Sequence, residues 1–174
     1  RMVTATRLRL FGAGVRARLV LDLLKWQLPG RFAVAGAYDD AMLAGTVAHG
    51  GLAILGTTEQ GLSDARTDAS CAFFVAFGTR ASIKGCRIFR ELLACGASIP
   101  SLISPGAFVS PSAKLGKNTV ILPSAFIGTG VTIGDMVFAH GGAAIEHDCV
   151  LGNNILIAPG VSLAGGVVML RPSI

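Results

Sequence analysis

From Ile103 to Ile174 the chain reads, in blocks of six, ISPGAF VSPSAK LGKNTV ILPSAF IGTGVT IGDMVF AHGGAA IEHDCV LGNNIL IAPGVS LAGGVV MLRPSI. The blocks open on Ile103, Val109, Leu115, Ile121, Ile127, Ile133, Ala139, Ile145, Leu151, Ile157, Leu163 and Met169, large aliphatics apart from Ala139. Their fifth positions run Ala107, Ala113, Thr119, Ala125, Val131, Val137, Ala143, Cys149, Ile155, Val161, Val167 and Ser173, with Ile155 the one larger exception. Ordinary strands joined by glycine turns have no reason to hold this register without a slip, whereas a stacked repeat must. Each block is read as a short strand plus a corner, with Gly116, Gly128, Gly134 and Gly152 at the second position expected to supply the corner's permissive backbone angles. Three blocks close a triangular coil, and successive coils pair as parallel strands about 4.8 Å apart. The opening aliphatics then stack into three inner columns, with fifth-position residues such as Cys149 packed beside them. Burial of those columns alone falls short of the entropy of ordering so many residues, so association between chains is expected.

Residues 1–102 follow a different pattern. Arg7–Phe11 is a short strand-like run ending in Gly12-Ala13-Gly14. Val15, Leu19, Leu23 and Trp26 then recur at helical spacing over Val15–Trp26. Phe32–Tyr38 is a second apolar run, followed by Asp39-Asp40. Cys71–Phe77 is a third, and Gly78-Thr79 opens a helix over Ala81–Cys95 with Ile88, Leu92 and Cys95 on one side. Strand and helix in alternation predict a small parallel α/β sheet.

Composition limits the alternatives. The chain has 174 residues, 52% of them hydrophobic, 14% charged and 6% aromatic, which excludes a polar disordered chain and argues against a helical bundle. Residues 1–102 carry 12 Lys/Arg against 7 Asp/Glu, while residues 103–174 carry 3 of each, so the net charge of +5 belongs to the first part. That surplus suits a phosphorylated small molecule, a membrane surface or nucleic acid. Nucleic acid is the weakest of these, because no run of adjacent cations interleaved with aromatics occurs. The uncharged stretches Ala41–Thr58 and Cys149–Leu170 are too broken by Gly, Asn and Pro to read as membrane spans. The segment from Arg1 to Arg9 lacks the continuous apolar run of a secretory signal. Cys71, Cys86, Cys95 and Cys149 form no CxxC pair, so neither a zinc site nor a disulfide framework is predicted, and a reduced cytoplasmic setting is expected.

Two segments carry chemistry. Gly12-x-Gly14-x-x-Ala17 lies between a strand and a helix, where a glycine loop lets phosphates approach a helix N-terminus. Asp39 ends the next strand, where a carboxylate can hold a ribose or a base. The alternative is a tight turn without a ligand. A nucleotide is favoured by the order of strand, loop, helix and acid, and a dinucleotide is disfavoured by the small size of the region. The second segment is Glu146-His147-Asp148 on a repeat corner. An imidazole titrating near pH 7 can accept a proton, and a neighbouring carboxylate can fix its tautomer. One coil on, Gly165 should stack next to His147 and offer its amide to a developing oxyanion. The alternative is a solvated histidine on a turn. His140 either lines the same groove or faces solvent, and His49 is read as structural. Three histidines on separate segments predict no metal site, and no Gly-x-Ser-x-Gly elbow supports a serine hydrolase.

The glycine loop, Tyr38-Asp39-Asp40, Phe77-Gly78, Ile103-Ser104-Pro105 into Val109-Ser110-Pro111, and above all Ile145-Glu146-His147-Asp148-Cys149, resemble one bacterial family. These are the hexapeptide-repeat sugar acetyltransferases of the sialic acid O-acetyltransferase and nucleotide-aminosugar N-acetyltransferase group (NeuD/PglD-type). The resemblance implies a Rossmann-like half domain over 1–102 and a left-handed parallel β-helix over 103–174, the handedness coming from the family alone. It also implies a homotrimer, acetyl-CoA in a groove between neighbouring prisms, and a nucleotide-linked amino sugar held by the N-terminal domain, with Gly12, Gly14, Asp39, Asp40 and Gly78 of that domain and His140 of the β-helix as substrate-binding residues. His147 would be the general base, Asp148 or Glu146 its orienting carboxylate, and Gly165 would lie at the thioester carbonyl. Transfer to a sugar hydroxyl, as in sialic acid O-acetylation, is the alternative activity.

The chain also departs from the family pattern. Val15-Arg16 follows Gly14 where relatives place Gly-His or a similar pair, His140 replaces a common Asn, Leu156 replaces a second histidine, and Thr79-Arg80 replaces Asp-Asn or Asn-Asn. The tail Val168–Ile174 loses the glycine pattern and relatives run on for further coils. A shortened sugar-nucleotide-binding protein without turnover is therefore a further expectation to set beside the enzyme.

Overall fold

The computed structural model of the chain describes residues 5–78 and 82–171. They fall into two compact units, Arg1–Pro100 and Ser101–Ile174.

In the first unit β1 (Thr6–Phe11), β2 (Phe32–Tyr38), β3 (Val47–Ala48), β4 (Leu52–Gly56) and β5 (Cys71–Val75) form one sheet in the order β3-β4-β2-β1-β5. All neighbours run parallel except the short antiparallel β3–β4 pair. Every residue of β5 is buried, as a parallel strand covered on both faces should be. The helices are α1 (Val15–Asp22), α2 (Thr58–Thr67) and α3 (Ser82–Ala94). The expected α3 face holds at Ile88 and Leu92, both fully buried, but Cys95 is exposed. Thr79, Arg80 and Ala81, expected to open that helix, lie outside the described residues.

Two differences from the sequence reading have physical causes. The helix after the glycine loop buries Ala17, Val20, Leu23 and Leu24, while Val15 and Trp26 are about 70% exposed. The α-helix gives way to a π-helical turn over Leu23–Gln27, closed by Leu28 N–H donating to the Leu23 carbonyl at 3.1 Å. The wider turn shifts the angular register, so Leu28 rather than Trp26 turns inward. The second difference is β4 and α2, which periodicity did not predict, β4 lying within the uncharged Ala41–Thr58 stretch. The signal missed is a capping box: the Thr57 hydroxyl accepts from Gln60 N–H at 3.3 Å, and the Gln60 side chain accepts from Thr57 N–H at 2.7 Å. Among the described residues no helix is long and apolar enough to cross a membrane.

In the second unit two-residue strands recur every six residues from β6 (Leu102–Ile103) to β17 (Val168–Met169). They stack into three parallel four-stranded sheets, β7-β10-β13-β16, β8-β11-β14-β17 and β6-β9-β12-β15. Partners sit eighteen residues apart throughout, as in Ile103↔Ile121, Ile127↔Ile145 and Leu151↔Met169. Each block therefore forms one side of a three-sided parallel β-helix, and three blocks form a coil. The inner columns are dry in their middle, where Ile121, Ile127, Ile133, Ala139, Ile145, Leu151 and Ile157 are all at most 2% exposed, and partly buried towards the ends at Ile103, Val109, Leu115, Leu163 and Met169. Cys149 is fully buried beside them.

The corners are built otherwise than expected. Second-position glycines do not carry the unusual backbone angles. Their missing side chain admits the next coil instead: a Cβ on Gly128 would fall 2.9 Å from His147 N and 3.0 Å from Glu146 C. The left-handed residue is at the fourth position in nine successive corners. They are Asn118, Ser124, Gly130, Met136, Gly142, Asp148, Asn154, Gly160 and Gly166, with φ between +54° and +74°. An L side chain resists this conformation, though Asn and Asp tolerate it better than most.

The corner at Ser124 gives a direct test, since this exposed residue has φ +62°. Ser124→Gly should raise the unfolding free energy in urea titrations by about 1 kcal/mol, and Ser124→Val should lower it by at least as much.

Candidate functional site

The second unit places its chemistry on the corner after β13 (Ala144–Ile145). Glu146, His147 and Asp148 are all exposed there. Asp148 occupies the left-handed slot at φ +58° and its N–H donates to the Thr129 carbonyl at 2.9 Å. This kink turns its carboxylate back onto the preceding residue, with Asp148 Oδ2 2.9 Å from His147 Nδ1. An ionised carboxylate only accepts, so Nδ1 carries the proton and the lone pair lies on Nε2. Of the two carboxylates considered from sequence, Asp148 is the one bonded to the ring.

The other face of the imidazole meets the next coil. The predicted eighteen-residue step brings Gly165 beneath His147, where a Cβ on Gly165 would lie 2.5 Å from Cε1 and 2.9 Å from Cδ2 of the ring. Nε2 is the ring atom nearest that point. The two coils are tied at this height by Gly166 N–H donating to the His147 carbonyl at 2.9 Å. His147 therefore has Nδ1 engaged by Asp148, an exposed ring, and a bare glycine backbone next to Nε2. The arrangement can move a proton to or from a bound nucleophile while presenting backbone to the electrophile.

His140 does not share this corner. It follows β12 (Phe138–Ala139), one third of a coil earlier, and its ring packs on Phe138 at 4.8 Å between centroids. Among the described residues no group of three His, Cys, Asp or Glu could hold a metal ion.

In the first unit the candidate residues gather at the carboxyl ends of the parallel strands, where open α/β sheets bind ligands. Gly12 and Gly14 follow β1, Asp39 and Asp40 follow β2, Thr58 follows β4 and Gly78 follows β5. Gly12 has φ +97°, donates to the Tyr38 carbonyl at 2.9 Å, and leaves no room for a Cβ against the Phe77 ring. Gly14 is the N-cap of α1 with no side chain capping the helix, and open space surrounds it. Gly78 is equally open.

The two acids differ in role. Asp39 Oδ2 accepts from Ala13 N–H and Oδ1 from Ala41 N–H, both at 2.9 Å, so it braces the glycine loop from across the strand ends. Asp40 is engaged by Lys84 Nζ at 2.6 Å and by the backbone and hydroxyl of Thr58 at 2.7 and 2.8 Å. The Lys84 contact and then the Thr58 N–H hold its carboxyl at about 2, below the ordinary value. Sequence reasoning missed a partly buried polar cluster in the same unit. Arg9, only 14% exposed, reaches Asp64 at 3.2 Å and Asp68 at 2.9 Å, and the Tyr38 hydroxyl donates to Asp64. The signal was available as Arg9 alternating with Leu8 and Leu10 in a strand flanked by sheet on both sides.

No family model matches the sequence. Among solved structures the chain is similar to the acetyltransferase domain of PglB from Neisseria gonorrhoeae FA1090 in complex with acetyl coenzyme A. Identity is 30% and the TM-score 0.79, over 92% of this chain and 74% of that one. It is also similar to a histidine-to-alanine mutant of GDP-perosamine N-acetyltransferase from Caulobacter crescentus in complex with CoA and GDP-perosamine. There identity is 28% and the TM-score 0.80, over 92% of this chain and 72% of that one. WeeI from Acinetobacter baumannii AYE, at 18% identity and a TM-score of 0.59 over 94% of both chains, bears on the fold alone.

Two outcomes test the geometry. Gly165→Ala drives a methyl into the His147 ring, so the fold should survive at this exposed corner while acetyl transfer falls at least about tenfold, read by thiol release. Asp40 has a folded value below its unfolded one, so its stabilisation is complete above pH 4 and is lost as pH falls toward about 2. Asp40→Asn should therefore flatten the acid limb of a stability–pH profile between those values.

Proposed function

The chain belongs to the hexapeptide-repeat acetyltransferase family that includes the nucleotide-aminosugar N-acetyltransferases, and from that premise we propose that it transfers acetyl from acetyl-CoA to the amino group of a nucleotide-linked amino sugar. The observation that carries this reading is the His147 corner, with Nδ1 on Asp148 and Nε2 above the bare Gly165 backbone. The named relatives support it, one solved with acetyl coenzyme A and one with CoA and GDP-perosamine.

In this mechanism His147 Nε2 removes a proton from the sugar amine as nitrogen attacks the thioester carbonyl carbon. Asp148 stabilises the imidazolium that forms and keeps the ring in the correct tautomer. Negative charge on the carbonyl oxygen is met by the Gly165 N–H. The tetrahedral species collapses by breaking the carbon–sulfur bond, and the imidazolium returns its proton to the departing CoA thiolate. Acetyl passes directly to nitrogen, without a covalent enzyme intermediate.

The remaining assignments complete the proposal. Residues 1–102 act as a Rossmann-like half domain for the sugar nucleotide, with Gly14 and Gly78 giving backbone access, Gly12 turning the loop and Asp39 bracing it. Asp40 supports that end through Lys84 and Thr58, and His140 contributes to the sugar side. Residues 103–174 wind as a left-handed β-helix that assembles as a homotrimer around acetyl-CoA grooves, in a cytoplasmic enzyme. The exposed, stacked Phe108 and Phe126 rings, 5.1 Å apart, fit an outer face that a second copy covers.

Thiol release from acetyl-CoA, assayed against UDP- and GDP-linked amino sugars, tests the reaction. His147→Ala should lower kcat by about 10²- to 10⁴-fold with sugar-nucleotide binding retained, and Asp148→Asn should give a smaller loss. Nucleotide-sugar binding without turnover in the unmutated chain contradicts the proposal. So does turnover confined to hydroxyl acceptors.

A further inference from the structure

The reaction described above makes no use of Cys149, yet its thiol holds the peptide that carries Gly165. Cys149 is fully buried and its Sγ donates to the Ala164 carbonyl at 3.1 Å. A trans peptide is planar, with its C=O and N–H pointing in opposite directions. Fixing the Ala164 carbonyl on an interior thiol therefore turns the following N–H, that of Gly165, out of the prism. The His147 ring lies over the same glycine.

The prism uses this bond twice elsewhere, each time with a hydroxyl. Ser101 Oγ donates to the Gly116 carbonyl at 2.7 Å, and Thr119 Oγ1 to the Gly134 carbonyl at 3.1 Å. In all three cases a fifth-position side chain reaches a second-position carbonyl fifteen residues on, in the next coil. The column that holds Cys149 is otherwise Ala113, Val131 and Val167, which have no donor to offer. The one donor on that edge thus stands at the level of His147, bonded to the peptide that faces the ring.

We propose that Cys149 is a positioning residue for acetyl transfer: its S–H sets the Ala164–Gly165 peptide so that Gly165 N–H faces the reacting carbonyl beside His147 Nε2. The proposal rests on the reading of His147 as the base. Cys149 touches no substrate and takes no acyl group. The pattern also says what can replace it, because a hydroxyl makes the same bond at Ser101 and Thr119, and Val fills the same column at 131 and 167.

Cys149→Val keeps the column packed and removes the donor, and Cys149→Ser keeps a donor. Thermal unfolding, steady-state thiol release and the amide spectrum of ¹⁵N-labelled full chain are measured for both. The valine variant should melt near the parent, lose about tenfold in kcat and keep both KM values within about twofold, the mark of a contact made in the transition state. Its Gly165 amide resonance should broaden or split as the peptide is freed, and the serine variant should recover most of kcat and a single resonance. A folded valine variant with the parent's kcat and an unchanged Gly165 resonance overturns the proposal, as does a serine variant no better than valine. Should valine not fold, Cys149→Ala carries the same expectations. The base is tested apart from this: His147→Ala turning over at the parent's rate would refute the reading of His147, whereas a silent Cys149→Val would leave it intact.

Discussion

A turn that closes in eighteen residues governs the second unit. Parallel strands two residues long have little pairing of their own, so the register holds only because each coil repeats the hydrogen bonds of the coil below. Aliphatic first-position residues fill the three inner columns at that period, and a one-residue slip would turn each column toward water. The same constraint determines which residues meet on the outside. His147 and Gly165 are neighbours because they are one coil apart, and for the same reason Cys149 finds the carbonyl preceding Gly165.

The corners divide the work of bending. The fourth position takes the left-handed angles, and at the chemical corner it is filled by Asp148 rather than glycine. That choice tolerates a moderately unfavourable backbone and gains a carboxylate aimed at Nδ1 of the preceding ring. Neighbouring corners use the slot for packing or backbone economy, as Met136 and Gly130 do. A structural requirement repeated nine times thus becomes a chemical device at one of them. Gly165 is bare for a different reason from Gly128: a side chain there would meet the His147 ring, whereas at Gly128 it would meet the backbone of the next coil.

Much of this architecture can be read from the residues. The six-residue step predicts the three sheets, the buried columns and the meeting of His147 with Gly165, since periodicity reports the face a side chain occupies. The glycine corners were legible only as small residues. Whether a small residue supplies backbone freedom or close approach depends on coil spacing, so second-position glycines were assigned the role that the fourth position performs. In the first unit the strands β1, β2 and β5 follow from their apolar runs. The inward residue that ends the first helical stretch does not, because a π-helical turn at Leu23–Gln27 puts Leu28 rather than Trp26 inside. The α2 helix hides behind low hydrophobic contrast, although Thr57 and Gln60 announce its start. The bracing of the glycine loop by Asp39 could not be read from spacing, since it depends on which way the side chain turns at the strand end.

The chemistry at the corner depends on His147 carrying its proton on Nδ1 and its lone pair on Nε2. Nitrogen-15 correlation spectra of the imidazole, recorded at a pH where the ring is neutral, read this directly. A protonated Nδ1 and an unprotonated Nε2 are expected in the unmutated chain, with the preference lost in Asp148→Asn. A ring protonated on Nε2 in the unmutated chain would contradict it.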